Sequence, residues 1–203
     1  PRSQLAPSSA DVLHGRLPMR EAVRKTPVAG LDLVTGSVDL ASMDLELHQS
    51  RQREHCLKAP LAEVEADYDL IFMDCPAGLS LLPSAALAVA DAHMVVMTPQ
   101  FLVLDGLENF LGAVDRIRFR SGSRSQLLGL LLTQVDYRVR ITRDYVEQIR
   151  NDYGDRVFGV EIRVNVRLAE APGAGQTIFE FAPQSTGAGA YRLLAEELLL
   201  RSH

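Results

Sequence analysis

The chain has 203 residues, 47% of them hydrophobic and 23% charged, with a formal net charge of −5. That balance suits one globular domain with a sizeable core, and it argues against a wholly basic nucleic-acid binder. No apolar run nears the ~20 residues of a membrane span, and the lone cysteines Cys56 and Cys75 form neither a disulfide framework nor a zinc motif.

The opening Pro1-Arg2-Ser3-Gln4 has no basic-then-apolar leader pattern and no initiator methionine. We therefore expect the sequence to start inside a longer cytoplasmic protein. Residues 1–17 read as a loop with two prolines and Gly15, and a short helix is expected after Pro18. Leu31–Val34 suggests a short strand. Asp39 to about Leu57 has helical apolar spacing through Leu40, Met43 and Leu47. Within it, His48 and His55 stand seven residues apart, with no metal-ligand pattern.

Leu70-Ile71-Phe72-Met73 is a continuous apolar run ended by Asp74-Cys75-Pro76-Ala77-Gly78, and it predicts a strand buried on both faces. A helix over Leu82–Ala92 and a second buried strand over His93–Met97 follow. Next come a helix over Asp105–Ile117, a polar loop over Arg118–Ser125 and a third strand over Leu127–Leu132. A helix over Ile141–Tyr153 stopped by Gly154, a strand over Val157–Ile162 and a closing helix over Gly187–Arg201 complete the pattern. Apolar strands alternating with helices predict an α/β fold, a doubly wound, mostly parallel sheet, in a single domain spanning residues 1–203.

In such sheets ligands bind beyond the carboxyl ends of the strands. The segments at those ends are Asp74–Gly78, Thr98-Pro99-Gln100, Thr133-Gln134-Val135-Asp136 and Arg163-Val164-Asn165. A carboxylate ending an apolar strand, as Asp74 does, can hold a magnesium-bound water beside phosphates. Equally, it can cap the following helix. Residues 110–170 hold eleven arginines against eight carboxylates, so a local basic surface is compatible with the acidic total.

Several segments carry a family resemblance. Residues 68–82, containing Phe-Met-Asp-Cys-Pro-Ala-Gly, resemble the Walker B and switch II stretch of ParA, Soj and MinD ATPases. Thr98–Leu107 and Leu130–Arg138 are similar to later ParA stretches. Asn165-Val-Arg-Leu-Ala-Glu-Ala-Pro172, with Ala182–Tyr191, resembles the ParA/Soj C-terminal signature.

The resemblance implies a P-loop NTPase-like domain that binds ATP and Mg²⁺ and dimerises around nucleotide. It also implies non-specific binding of double-stranded DNA and stimulation by a ParB-like activator, as a nucleoid-associated partition ATPase. No membrane attachment is expected, because the segment Tyr191–Arg201 is acidic in its middle where a membrane-targeting helix is basic. By motif, Asp74 is the catalytic carboxylate near Mg²⁺, and Pro76 and Gly78 belong to switch II. Thr133, Gln134 and Asn165 fall near the nucleotide base, and Arg138 and Arg167 fall where DNA-contacting arginines lie.

Two departures qualify this. No glycine-rich Gly-Lys-Ser/Thr loop occurs in the 203 residues, so ATPase activity is expected of a full-length protein rather than of this stretch. Ile162-Arg163-Val164-Asn165 replaces the family's Ile-Pro-Arg-Asn, which puts the base pocket in question. A positioning ATPase for another cargo and a P-loop-less binding module are the alternative readings. For the arginines, a solvated face around Arg138, Arg140 and Arg143 and an Arg167–Glu170 pair are the plainer reading.

Overall fold

A computed structural model describes residues 6–46 and 53–202. Its elements in chain order are α1 (Ser9–Leu13), α2 (Met19–Ala22), β1 (Arg24–Lys25), β2 (Asp32–Leu33), α3 (Leu40–Glu46), α4 (Lys58–Ala62), α5 (Leu81–Val89), β3 (Ala92–Met97), α6 (Phe101–Ser121) and β4 (Gln126–Val135). The remainder are α7 (Arg140–Tyr153), β5 (Ile162–Arg163), α8 (Val166–Glu170), α9 (Ile178–Phe181) and α10 (Thr186–Arg201). The chain divides into two compact units, Pro1–Ala90 with Val114–Ser125, and Asp91–Ala113 with Gln126–His203.

The first unit gathers short elements. Its core is Val12, Met19, Ala22 and Val64, with Leu17, Leu61 and Tyr68 packed around them. The stretch expected to be a loop contains α1, because Ser8 and Asp11 close its first turn: both the amide and the hydroxyl of Ser8 donate to the Asp11 carboxylate. β1 and β2 pair as an antiparallel hairpin. Lys25 and the Tyr68 hydroxyl both donate to Asp32, tying that hairpin to the start of the apolar run. The expected Asp39–Leu57 helix is borne out over Leu40–Glu46. Its part over residues 47–52, including His48, lies outside the described residues, as do Pro1 to Leu5. Arg53–His55 form a 3-10 turn rather than α-helix.

The second unit holds the sheet, in which β3, β4 and β5 lie side by side and parallel. Side chains along β4 alternate between faces. Leu130 and Leu132 join Leu107 of α6 and Val146 and Ile149 of α7. Leu131 joins Phe158, Ile162 and Leu194 of α10. Both faces of the sheet are therefore covered by helices, the doubly wound arrangement expected from strands that are apolar without alternation. α7 forms because Thr142, Val146 and Ile149 share its buried face, and it ends at Gly154, whose φ of +52° with ψ of −127° is a conformation open to glycine.

Three expectations need correction. Leu70–Met73 is not a strand, and Leu70, Ile71 and Phe72 are 51%, 41% and 73% exposed. A buried strand requires neighbours on both edges, and among the described residues no strand pairs with this segment. β3 is only partly buried, since β4 is its sole partner among the described strands and Val96 is exposed.

The expected Val157–Ile162 strand is interrupted. Val157 bridges Leu130 and Ile162 pairs with Thr133, but the amides of Gly159 and Val160 donate to the Glu197 carboxylate of α10. A side-chain acceptor has replaced the ladder at the middle of that strand.

Candidate functional site

In the first unit the loop Asp74-Cys75-Pro76-Ala77-Gly78 is exposed throughout. Gly78 has a φ of +106°, a conformation that only glycine adopts without strain, and a Cβ there would meet no atom within 4 Å. The turn is thus set by backbone torsion with open space beside it, where a ligand's oxygens can approach main chain. Although Cys75 is exposed as a residue, partial desolvation by its neighbours pushes the thiol above its ordinary pKa, and the negative charge of Asp74 adds to the effect. The shift holds that thiol in its protonated, less nucleophilic form.

Among the described residues no three His, Cys, Asp or Glu side chains come together. A single hard carboxylate beside open backbone is a donor set that fits magnesium. That ion keeps most of its water and takes its remaining oxygens from phosphate rather than from a protein cage.

In the second unit the carboxyl ends of β4 and β5 carry the other expected residues. Thr133 pairs with Ile162 and Val135 with Arg163, leaving Gln134 as an extra, unpaired residue in a β-bulge. Gln134 has a φ of +52°, the one positive value at a non-glycine residue among those described, and its side chain is exposed. Non-glycine residues in this region cost on the order of 1 kcal/mol or more and concentrate at ligand sites.

Beyond the bulge, Arg138 forks onto Asp136, with Nε to Oδ1 at 2.8 Å and Nη2 to Oδ2 at 2.6 Å. The guanidinium and the Arg138 amide together hold the Asp136 carboxyl down to a pKa of about 2. On the neighbouring strand Arg163 donates to Glu161 and lies over the Tyr137 ring, 4.9 Å from its centroid, while the Tyr137 hydroxyl donates to the same carboxylate. Burial and the Glu161 hydrogen bond raise the Tyr137 pKa, so the phenol remains a proton donor.

Asn165 caps α8. Its Oδ1 accepts from the amides of Arg167 and Leu168, and its Nδ2 donates to the Thr186 hydroxyl at the start of α10. Leu168 locks the same junction, because a Cβ on Gly187 would lie 2.7 Å from it. The amide of Asn165 therefore does structural work first, with one N–H left over for a ligand. Arg167 pairs with Glu170 at 2.8 Å.

Thr133, Gln134, Arg138, Asn165 and Arg167 are thus brought to one end of the sheet in the second unit. Asp74, Pro76 and Gly78 belong to the first unit. Sequence reasoning missed the residues that hold the arginines in place, Asp136, Tyr137 and Glu161. The signal available for them was the repeated acid-x-Arg spacing, Asp136-x-Arg138 and Glu161-x-Arg163.

Comparison with known proteins bears on these features. A family model described as an AAA domain matches residues 2–127, more than half of the chain. The chromosome partitioning protein ParA of Caulobacter vibrioides is 32% identical over 202 residues, covering 98% of this chain and 76% of its own length. The chromosome-partitioning ATPase Soj of Thermus thermophilus is 38% identical over 179 residues, covering 86% of this chain and 68% of its own. Among solved structures, cobyrinic acid a,c-diamide synthase from Mycobacterium smegmatis, with bound ADP and magnesium, superposes with a TM-score of 0.80. It is 27% identical, and the match covers 98% of this chain and 74% of that one.

Proposed function

Because this chain belongs to the ParA/Soj family of partitioning ATPases and has the α/β fold of P-loop NTPases, we propose that its full-length form is an ATP- and Mg²⁺-dependent ATPase. In this reading it dimerises with nucleotide bound, binds double-stranded DNA without sequence preference, and drives chromosome segregation with a ParB-like activator. The observation that carries the DNA reading is the cluster of arginines at the carboxyl ends of β4 and β5, on a chain whose overall charge is acidic.

Each expected residue takes a role set by its own surroundings. Magnesium supplies charge neutralisation on the transferring phosphoryl group. Asp74 accepts a hydrogen bond from a water and orients it, and its exposure leaves both carboxylate oxygens available. Pro76 fixes one side of the switch II turn. Gly78, already in its left-handed conformation, lets main-chain N–H groups face phosphate oxygens without a side chain in the way.

Thr133 offers a hydroxyl beside the bulge, and Gln134 projects an amide into solvent from the strained position. These two, with the remaining N–H of Asn165, suit hydrogen bonding to a purine edge. Arg138 and Arg167 present guanidinium groups whose permanent charge and planar fork match phosphate oxygens. No helix among the described residues is long and apolar enough to cross a membrane. We place the protein in the cytoplasm, on the nucleoid.

The test is DNA binding by the full-length gene product with Mg·ATP, measured by fluorescence anisotropy on two duplexes of unrelated sequence. The reading predicts equal affinity for both, a steep loss with salt, and weaker binding to both when Arg138→Ala and Arg167→Ala are combined. Sequence-selective binding, or no binding in Mg·ATP, would overturn it.

A further inference from the structure

The two arginines assigned to DNA by motif are both already engaged. Arg138 has its Nε and Nη2 on Asp136, and Arg167 has its Nη1 on Glu170. A phosphate approaching either one meets a guanidinium whose charge is partly neutralised and must compete with a tethered carboxylate for its fork.

Two other arginines of the same surface are in a different state. Arg140 and Arg143 lie at the start of α7, which begins after the four residues that follow β4, and both are exposed. Neither makes a hydrogen bond or ion pair among the described residues. Asp144 stands four residues on from Arg140, the spacing for a helical ion pair, yet forms none with it. At i and i+3 the two guanidiniums project from one face of the helix.

Their position also runs against helix stability. The first turn of α7 holds no acidic residue. Cations there face the positive end of the helix dipole, where acidic side chains are favoured. Among the described residues no carboxylate pairs with either charge at that point, which is the pattern of residues kept for an external anion.

We propose that Arg140 and Arg143 are the principal phosphate contacts of the protein's DNA surface, with Arg138 and Arg167 as subsidiary ones. The proposal rests on the DNA-binding reading above. Each unpaired arginine releases a full complement of condensed counterions when it meets a phosphate, whereas a carboxylate-held arginine exchanges one anion for another.

Arg156 supplies a control within the same unit. It too is exposed, and its side chain makes no hydrogen bond or ion pair among the described residues. It precedes Val157, which bridges Leu130, and its carbonyl oxygen lies beside Gly129, so it stands against the amino half of β4. From Gly129 to Val135 the strand runs about 20 Å at ~3.3 Å per residue, so Arg156 is remote from the proposed contacts.

The experiment compares the full-length protein with the double variant Arg140→Gln/Arg143→Gln and the single variant Arg156→Gln. Binding to two unrelated duplexes in Mg·ATP is measured as a function of salt, and thermal unfolding is followed in parallel. We expect the double variant to lose on the order of tenfold in affinity for both duplexes and to flatten the log–log salt slope by about two. It should unfold at the same or a higher temperature, because the helix no longer opposes its own dipole. Arg156→Gln should bind as the wild type does.

Wild-type affinity and slope in the double variant, with the wild type itself binding DNA, would overturn this proposal and leave the DNA reading standing. A double variant that loses affinity together with several degrees of melting temperature would also overturn it, marking the arginines as structural. A wild type that binds neither duplex would overturn both readings.

Discussion

Replacing Gly129 by alanine tests how tightly the second unit is built. Gly129 sits in β4 at a φ of +153°, opposite Met94, next to an irregularity in the β3–β4 register. An added Cβ would lie 2.6 Å from the carbonyl oxygen of Arg156 and 3.0 Å from both the Phe158 ring and the Arg201 guanidinium. The nearest of these is backbone and cannot swing aside. Its segment is fixed by the Phe158 amide, which donates to the Leu130 carbonyl at 2.9 Å, and by the Phe158 ring, which is fully buried.

Strain at the positive φ costs about 1–2 kcal/mol, and overpacking a fixed site adds about 1–3 kcal/mol. Together they predict a loss of roughly 2–5 kcal/mol, which for a domain near this size lowers the melting temperature by about 5–20 °C. Thermal unfolding followed by far-ultraviolet circular dichroism reads it directly. Gly159→Ala is the internal control, since its Cβ would meet only Glu197, at an ordinary 3.5 Å. Melting of Gly129→Ala within a degree of wild type, or an equal loss in Gly159→Ala, would refute the reasoning.

Three more outcomes follow from single interactions. Arg201 donates to the carbonyls of Leu128, Asp155 and Val157 and to Glu197 while stacking on Phe158. Arg201→Lys, which keeps the charge and loses the fork, should therefore cost about 1–3 kcal/mol in denaturant titration. Gln134→Gly should raise stability by about 0.5–1 kcal/mol in the same assay, because it relieves the left-handed strain of the bulge. The Asp136 carboxyl is held at about 2 against an ordinary 3.8 by Arg138. Its contribution to folding is thus fully present above 3.8 and lost as pH falls through about 2. Carbon-detected NMR titration should place the midpoint near 2 in wild type and return it toward 3.8 in Arg138→Ala, and an unshifted wild-type midpoint would dismiss the pair.

The sequence was most legible where a local rule acted alone. Gly154 ended α7 as expected, because a glycine at its C-terminus takes a positive φ that other residues avoid. Leu127–Leu132 declared β4 because a strand covered by helices on both faces has no polar side to show. Legibility failed where the outcome depended on a distant partner. Leu70–Met73 has every local mark of a central strand, yet a ladder needs neighbours, and no strand among the described residues supplies one.

Val157–Ile162 was misread for the same reason, since Glu197, 38 residues from Gly159, takes the amides that β4 would have bonded. The strain at Gln134 was invisible, because a glutamine in a left-handed bulge looks like any polar residue after a strand. Motif reading singled out Asp74, Arg138 and Arg167 and allowed for the Arg167–Glu170 pair, but only the structure revealed that Asp136 holds Arg138.

The most direct test of the account is ATP hydrolysis by the full-length gene product carrying Asp74→Asn. Phosphate release and fluorescent nucleotide binding are measured in the presence of Mg²⁺ and duplex DNA. The account predicts that turnover falls to background while nucleotide binding persists, because the neutral amide lacks the carboxylate's charge and keeps only one acceptor oxygen for the attacking water. Hydrolysis at the wild-type rate would contradict it.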